Sequence, residues 1–148
     1  MAINPRDELF KLAKVVHPLV IRASGGRLGG TLAGMPVIVL TTTGRRTGKP
    51  RATPLTLIRH EGRTYIVASK GGDDRHPAWY LNLVANPEVT VQGDGRTERM
   101  VDRVLEPDER DAVWPVVIRT YKGYAGYERK TDRRIPVVEL VPAGSTGA

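Results

Sequence analysis

Four cations, Arg45, Arg46, Lys49 and Arg51, crowd the stretch LTTTGRRTGKPRATPL between Leu40 and Leu55. Gly44 and Gly48 punctuate them, and the only acids before Glu61 are Asp7 and Glu8. Like charges held this closely repel one another unless an anion sits among them. Glycine-bounded turns expose backbone N–H groups, and Arg and Lys add forked or point charges, so the pattern makes a cradle for phosphate or carboxylate. It is not a Walker A loop: three residues separate the glycines, and Lys49 is followed by Pro50 instead of Ser or Thr. A merely solvated basic turn is the simpler alternative.

Two further stretches carry chemistry. VASKGGDDRHPAWY, Val67 to Tyr80, leaves a strand through Ser69, Lys70 and paired glycines, and enters a helix at Pro77. Glycines placed there let a flat ligand approach backbone N–H groups. Lys70 adds a cation to the same pocket, and Trp79 either covers the ligand or packs in the core. In TYKGYAGYERKTDR, Tyr121, Tyr124 and Tyr127 recur every third residue, which aligns them on one face of a helix. A core stripe would use Leu or Phe, which have no hydroxyl to satisfy. The tyrosines are therefore read as the lining of a pocket mouth.

The totals narrow the chemistry. With 148 residues the chain forms one core without staples, and with no cysteine it has no disulfide, thiolate nucleophile or cysteine-bound zinc. His17, His60 and His76 match no metal-binding spacing, so no metal is expected. A net charge of +7 points to an anionic partner. No apolar run reaches transmembrane length, and acids occupy the place where a signal peptide carries cations. A cytoplasmic protein is the expectation.

Elements must position these groups. Asn4 and Pro5 open a helix whose apolar positions run from Leu9 to Val20, opposite Arg6, Lys11, Lys14 and Arg22. That helix either packs on the domain or rests on a membrane surface. Residues 24–34 form a Gly-rich loop. Strands are expected at 36–43, 51–60, 63–69, 88–93, 96–104 and 135–141. Helices are expected from Pro77 to before Pro87 and from Pro107, with a kink at Pro115. Strands joined by hairpins predict a mainly β protein with peripheral helices, an antiparallel barrel that is closed or nearly so. Three parts follow: residues 1–34 as helix and loop, 35–142 as the barrel, and 143–148 as a disordered tail.

The ordered motifs LTTTGRRTGKPRATPL, VASKGGDDRHPAWYLNLVANP and YKGYAGYERKTDRRIPVVEL resemble the deazaflavin-dependent nitroreductase family, split β-barrel reductases that use coenzyme F420. The resemblance covers about Met35 to Pro142. It implies a split barrel of about six antiparallel strands, similar to FMN-binding barrels. It also implies a cofactor with a flavin-like tricycle, a phosphate and a glutamate tail. By motif position, Arg45, Arg46, Thr47, Lys49 and Arg51 would grip phosphate and tail, with Thr41, Thr53 and Pro54 flanking the path inward. Ala68, Ser69, Lys70 and Gly71 would line the ring, and Ala78, Trp79 and Asn82 would close its other side. Tyr124 and Tyr127, together with Tyr121 and Ser69, are the candidates for catalysis. Thr56 stands where some relatives have an aromatic residue.

The activity implied is hydride transfer from reduced coenzyme F420 to a small-molecule electron acceptor: a quinone, an activated enone or a nitro compound. An FMN-binding oxidoreductase of similar shape is the alternative, although one phosphate needs fewer cations than this turn carries. A basic nucleic-acid-binding barrel is the third reading. Against it, no aromatic residues alternate with the cations as a base-stacking platform requires, so no nucleic-acid partner is expected.

Overall fold

In the computed structural model the residues described are 31–32, 34–93 and 95–143. The expected N-terminal helix, most of the Gly-rich loop and the tail beyond Ala143 lie outside them.

The run MPVIVLTTT forms strand β2, Met35–Thr43, which pairs along both edges and is buried on both faces, Ile38 and Leu40 in one apolar cluster and Met35 in another. A short β1, Thr31–Leu32, pairs with its start, so the end of the expected Gly-rich loop is part of the sheet. On one side of β2 lies β3, Pro50–Thr56, and on the other β6, Glu88–Gly93. The ladder continues through β7, Arg96–Val104, and β8, Val137–Pro142, to β5, Arg63–Val67, and β4, Ile58–His60. All of these pairings are antiparallel.

The expected strand 51–60 is therefore two strands. Leu57 lies between them, its N–H turned to the Pro36 carbonyl and its side chain buried in the core. At this break the chain leaves one edge of the sheet and joins the other. Among the described residues no ladder joins β3 to β5, and the barrel is split along that seam.

Ile38, Leu40, Leu57, Ile66, Val89, Val91, Met100, Val138 and Leu140 fill the barrel. Trp79 and Leu83 plug it from helix α1, Ala78–Ala85. A second cluster forms outside, where Met35, Ile58, Tyr65, Val67 and Val137 meet Trp114, Val117 and Tyr124. Those last three side chains come from α2, Pro107–Thr120, which continues through Pro115, and from α3, Gly123–Arg129. Two apolar layers, one on each side of the sheet, thus meet at the seam.

Candidate active site

A cavity of about 630 Å³ opens along the seam. Met35 and Val37 of β2, Thr53 to Thr56 of β3, and Ile66 and Val67 of β5 line it. Ser69, Lys70, Gly71, Pro77 and Trp79 form one flank, and Tyr121, Tyr124 and Tyr127 form the other. Apolar side chains predominate, with hydroxyls at separate points, as suits a flat ligand with a polar edge.

The first flank is a bend. After β5 the chain makes a single 3₁₀ turn, Lys70–Gly72, in which Lys70, Gly71 and Gly72 all have positive φ, 46°, 63° and 85°. For lysine that conformation is strained. Gly72 has a second constraint, since a Cβ there would lie 2.9 Å from the Tyr127 carbonyl and 3.0 Å from Lys130 Cβ. The bend therefore packs directly on α3.

The tyrosines form the opposite flank. Their ring centroids are 5.3 Å apart for Tyr121–Tyr124 and 5.9 Å for Tyr124–Tyr127, both edge-on. Tyr124 is 6% exposed, and its hydroxyl is 3.5 Å from Thr56 Oγ1. Burial raises the Tyr124 pKa above that of a free phenol, and a hydrogen bond with Tyr121, then burial, raises that of Tyr127. Both hydroxyls are protonated at neutral pH and able to donate. Arg110 steadies this side from beneath. Its guanidinium lies 4.0 Å from the Trp114 ring centroid, donates to the Ile135 carbonyl at 3.0 Å, and sits 3.5 Å from Glu128 on α3.

The cationic turn lies at the β2–β3 hairpin. Gly44 N donates to the Lys49 carbonyl at 2.7 Å and Gly48 N to the Gly44 carbonyl at 2.8 Å, while Gly48 takes φ +70°. Lys49 N donates to Thr47 Oγ1 at 3.2 Å. Arg45, Arg46, Thr47, Lys49 and Arg51 are all exposed. Arg45 is nevertheless tethered: its backbone N and Nη1 donate to Asn82 Oδ1 at 3.1 and 2.9 Å. Asn82 Nδ2 in turn donates to Thr42 Oγ1 at 3.2 Å. This buried amide couples α1 to the turn.

The structure thus brings Thr53, Pro54, Ser69, Lys70, Gly71, Trp79 and the three tyrosines to one cavity. It does not bring Thr41, Ala68, Ala78 or Asn82 there. Thr41 and Ala68 are fully buried, Ala78 is exposed, and both ends of the Asn82 amide are engaged elsewhere. The cations stand apart from the cavity but in line with it, because β3 leads from Pro50 at the turn to Thr53 at the wall. At about 3.3 Å per residue that distance is roughly 10 Å.

Sequence reasoning missed Met35, Val37, Leu55, Ile66, Val67 and Pro77 among the lining residues, and Arg133 behind them. Apolar strand residues look alike whether they face a core or a cavity. Arg133 had no distinguishing mark among the charges of ERKTDRR.

A split antiparallel barrel with an apolar seam, a hydroxyl-bearing flank and an outlying cationic turn has the form of a cofactor-binding barrel. Residues 14–142 match the profile described as F420H(2)-dependent quinone reductase, and the chain belongs to that family. It is 38% identical over 129 residues to an F420H(2)-dependent quinone reductase of Mycobacterium tuberculosis, covering 84% of this chain and 87% of the relative. Among solved structures it is similar to an F420-H2 dependent reductase (FDR-A), with 43% identity, a TM-score of 0.63, and coverage of 71% of this chain and 93% of the other. A second structure, described as a domain-swapped dimer, is 36% identical with a TM-score of 0.65, over 87% of this chain and 98% of the other.

Proposed function

We propose that this chain is an F420H2-dependent reductase that reduces a quinone-type acceptor to the hydroquinone level in the seam cavity. The observation that carries the reading is the continuity along β3. An exposed cationic turn leads to an apolar slot with a glycine bend on one side and hydroxyl donors on the other. The residues fit the coenzyme: four cations suit a phosphate and glutamate tail, and the apolar wall suits a tricycle. When bound, the reduced coenzyme supplies a hydride, and solvent supplies the proton that completes the hydroquinone. The protein's own part is positional and electrostatic. Arg45, Arg46, Lys49 and Arg51 hold the tail, and Ser69, Lys70 and Gly71 meet the ring. Tyr127 and Tyr124 donate hydrogen bonds to the acceptor oxygen that gains negative charge. Activated enones and nitro compounds present the same kind of oxygen and belong to the same acceptor class.

The test is fluorescence titration with F420, FMN and a duplex oligonucleotide, followed by oxidation of F420H2 with menadione as the acceptor. Tight F420 binding and menadione-dependent turnover support the reading, and tighter binding of FMN overturns it. The suggested membrane contact rests on the N-terminal segment, outside the described residues. Among the described residues no helix is long and apolar enough to cross a membrane.

A further inference from the structure

Behind the Ser69–Gly72 bend stands a guanidinium with all three nitrogens engaged. Arg133 Nε donates to the Asp73 carbonyl at 2.8 Å. Its Nη2 donates to the carbonyls of Ala68 at 3.1 Å and Ser69 at 2.9 Å. Its Nη1 is 3.2 Å from His76 Nδ1. These partners lie some sixty residues earlier in the chain, and none of the three carbonyls belongs to a helix or strand. One planar fork therefore fixes the whole bend, from the end of β5 to the approach to α1.

The direction of the carbonyls has a consequence. No peptide bond among the described residues is cis, and in a trans peptide the N–H points opposite to the C=O. The carbonyls of Ala68 and Ser69 turn toward Arg133, so the N–H groups of Ser69 and Lys70, which share those peptide planes, turn away from it. Ser69 and Lys70 line the cavity and Arg133 does not. Ser69 C=O also accepts from Gly72 N at 2.9 Å, which locks that plane a second time. The left-handed Lys70 persists although such a backbone costs on the order of 1 kcal/mol, because this surrounding structure over-determines it.

We infer that Arg133 is a positioning residue for hydride transfer: by holding the Ala68 and Ser69 carbonyls it aims the Ser69 and Lys70 N–H groups into the cavity, where they orient the polar edge of the deazaflavin ring. This rests on the F420 reading above. The role needs a guanidinium, since lysine's single ammonium cannot span three carbonyls and a ring nitrogen. His76 fits the same frame. Burial, then the neighbouring Arg133, lowers its pKa, so at neutral pH its Nδ1 is free to accept from Arg133. The cationic turn lies elsewhere and continues to hold the tail whatever happens to the bend.

The experiment compares wild type, Arg133→Lys, Arg133→Ala and, as control, Arg134→Ala, whose side chain bonds Asp111 on the surface. Four quantities are read: the F420 dissociation constant, the absorbance spectrum of bound oxidised F420, the single-turnover rate with menadione, and the melting temperature. Arg133→Lys should bind F420 within about fivefold of wild type, with a bound spectrum shifted toward that of the free coenzyme. Its transfer rate should fall roughly tenfold to a hundredfold, the size expected when reacting groups are misplaced by about an ångström. Millimolar guanidinium should restore part of the rate in Arg133→Ala, and Arg134→Ala should match wild type. A wild-type bound spectrum and rate in Arg133→Lys overturns the inference, as does a rate loss that merely follows the melted fraction. Should wild type itself fail to bind F420, the function assignment falls separately. Hydrogen exchange then decides on Arg133: faster exchange confined to residues 68–73 in Arg133→Lys supports its hold on the bend, and unchanged exchange rejects it.

Discussion

The cationic turn and the Ser69–Asp73 bend lie along one seam but are built in opposite ways. The turn is local. Its glycines, Thr47 and backbone–backbone bonds fall within a few residues, and apart from the Arg45 tether to Asn82 its cations are simply exposed. The bend is assembled from a distance, by Arg133 beyond α3 and by Gly72 packed against the Tyr127 carbonyl. Tolerance should follow. Changing the turn should alter affinity and leave the fold, whereas changing the bend should alter geometry and stability together.

The largest effect expected is at the turn. Replacing Arg45, Arg46 and Lys49 with Ala removes three charge-assisted contacts worth roughly 1.5–3 kcal/mol each. Dissociation constants for F420 should rise by about three orders of magnitude, short of full additivity. Melting temperature should change little, because relief of like-charge repulsion offsets the lost Arg45 Nη1–Asn82 bond. The singles sharpen the comparison: Arg46→Ala should affect affinity alone, whereas Arg45→Ala also removes the Nη1 bond to Asn82 Oδ1, leaving only the backbone N–H donor, and should lower the melting point slightly. Unchanged affinity in the triple variant would remove the anion cradle from the site.

Next come the tyrosines. Tyr127→Phe keeps the ring and deletes a donor, so menadione turnover should fall by roughly tenfold to a thousandfold with F420 affinity nearly unchanged. Tyr124→Phe should cost turnover less and stability more, since its hydroxyl is buried near Thr56 and one hydrogen bond is worth ~1 kcal/mol. Kinetics beside a melting curve separate the two. If both variants turn over normally and melt early, the segment is core and the acceptor lies elsewhere.

How much of this was legible follows the same division. The turn, the barrel and the tyrosine spacing were read from short patterns, because glycine punctuation, strand alternation and three-residue periodicity are local. The break at Leu57 was not, since TPLTLIRH reads as one strand: Leu57 N–H still bonds Pro36 in the register of the β2–β3 ladder, and only the change of partner from β2 to β5 at Ile58 divides it. Nor was the place of Asn82, for which the family resemblance implies a ligand contact, whereas its amide is engaged by Arg45 and Thr42. Arg133 shares its run with four other cations, Arg129, Lys130, Arg134 and the more distant Lys122, and only the fold distinguishes it. Polar side chains that serve distant backbone leave no periodic trace.

A stability prediction probes the bend without any ligand. Gly72→Ala must adopt φ near +85° and press a methyl group against the Tyr127 carbonyl and Lys130 Cβ. A loss of about 1–3 kcal/mol is expected. Thermal unfolding of Gly72→Ala beside Gly48→Ala makes the contrast. Gly48 also has positive φ, but open space surrounds its Cβ position, so it should lose less. Equal losses would mean that the contact with α3 adds nothing to backbone strain.

The smallest effect concerns pH and lies away from both regions, on β7. Asp102 shares its register with Leu140, a barrel-core residue, and its Oδ1 is buried with no partner among the described residues. Burial pushes its pKa up to about 6, and its charge in turn helps to raise that of Tyr80. In the unfolded chain an aspartate titrates near ~3.9. Between these values the folded protein binds a proton that the unfolded chain has released, so acid favours the fold. Stability from this group is complete below about pH 4 and is lost as pH rises through about 6. The side chain is only half-buried, so solvent screening reduces the full linkage energy to about 1 kcal/mol. Asp102→Asn cannot ionise. It should melt higher than wild type at pH 7.5, and the difference should close by pH 4. A difference that stays constant across that range would show that Asp102 is equally charged in the folded and unfolded chains.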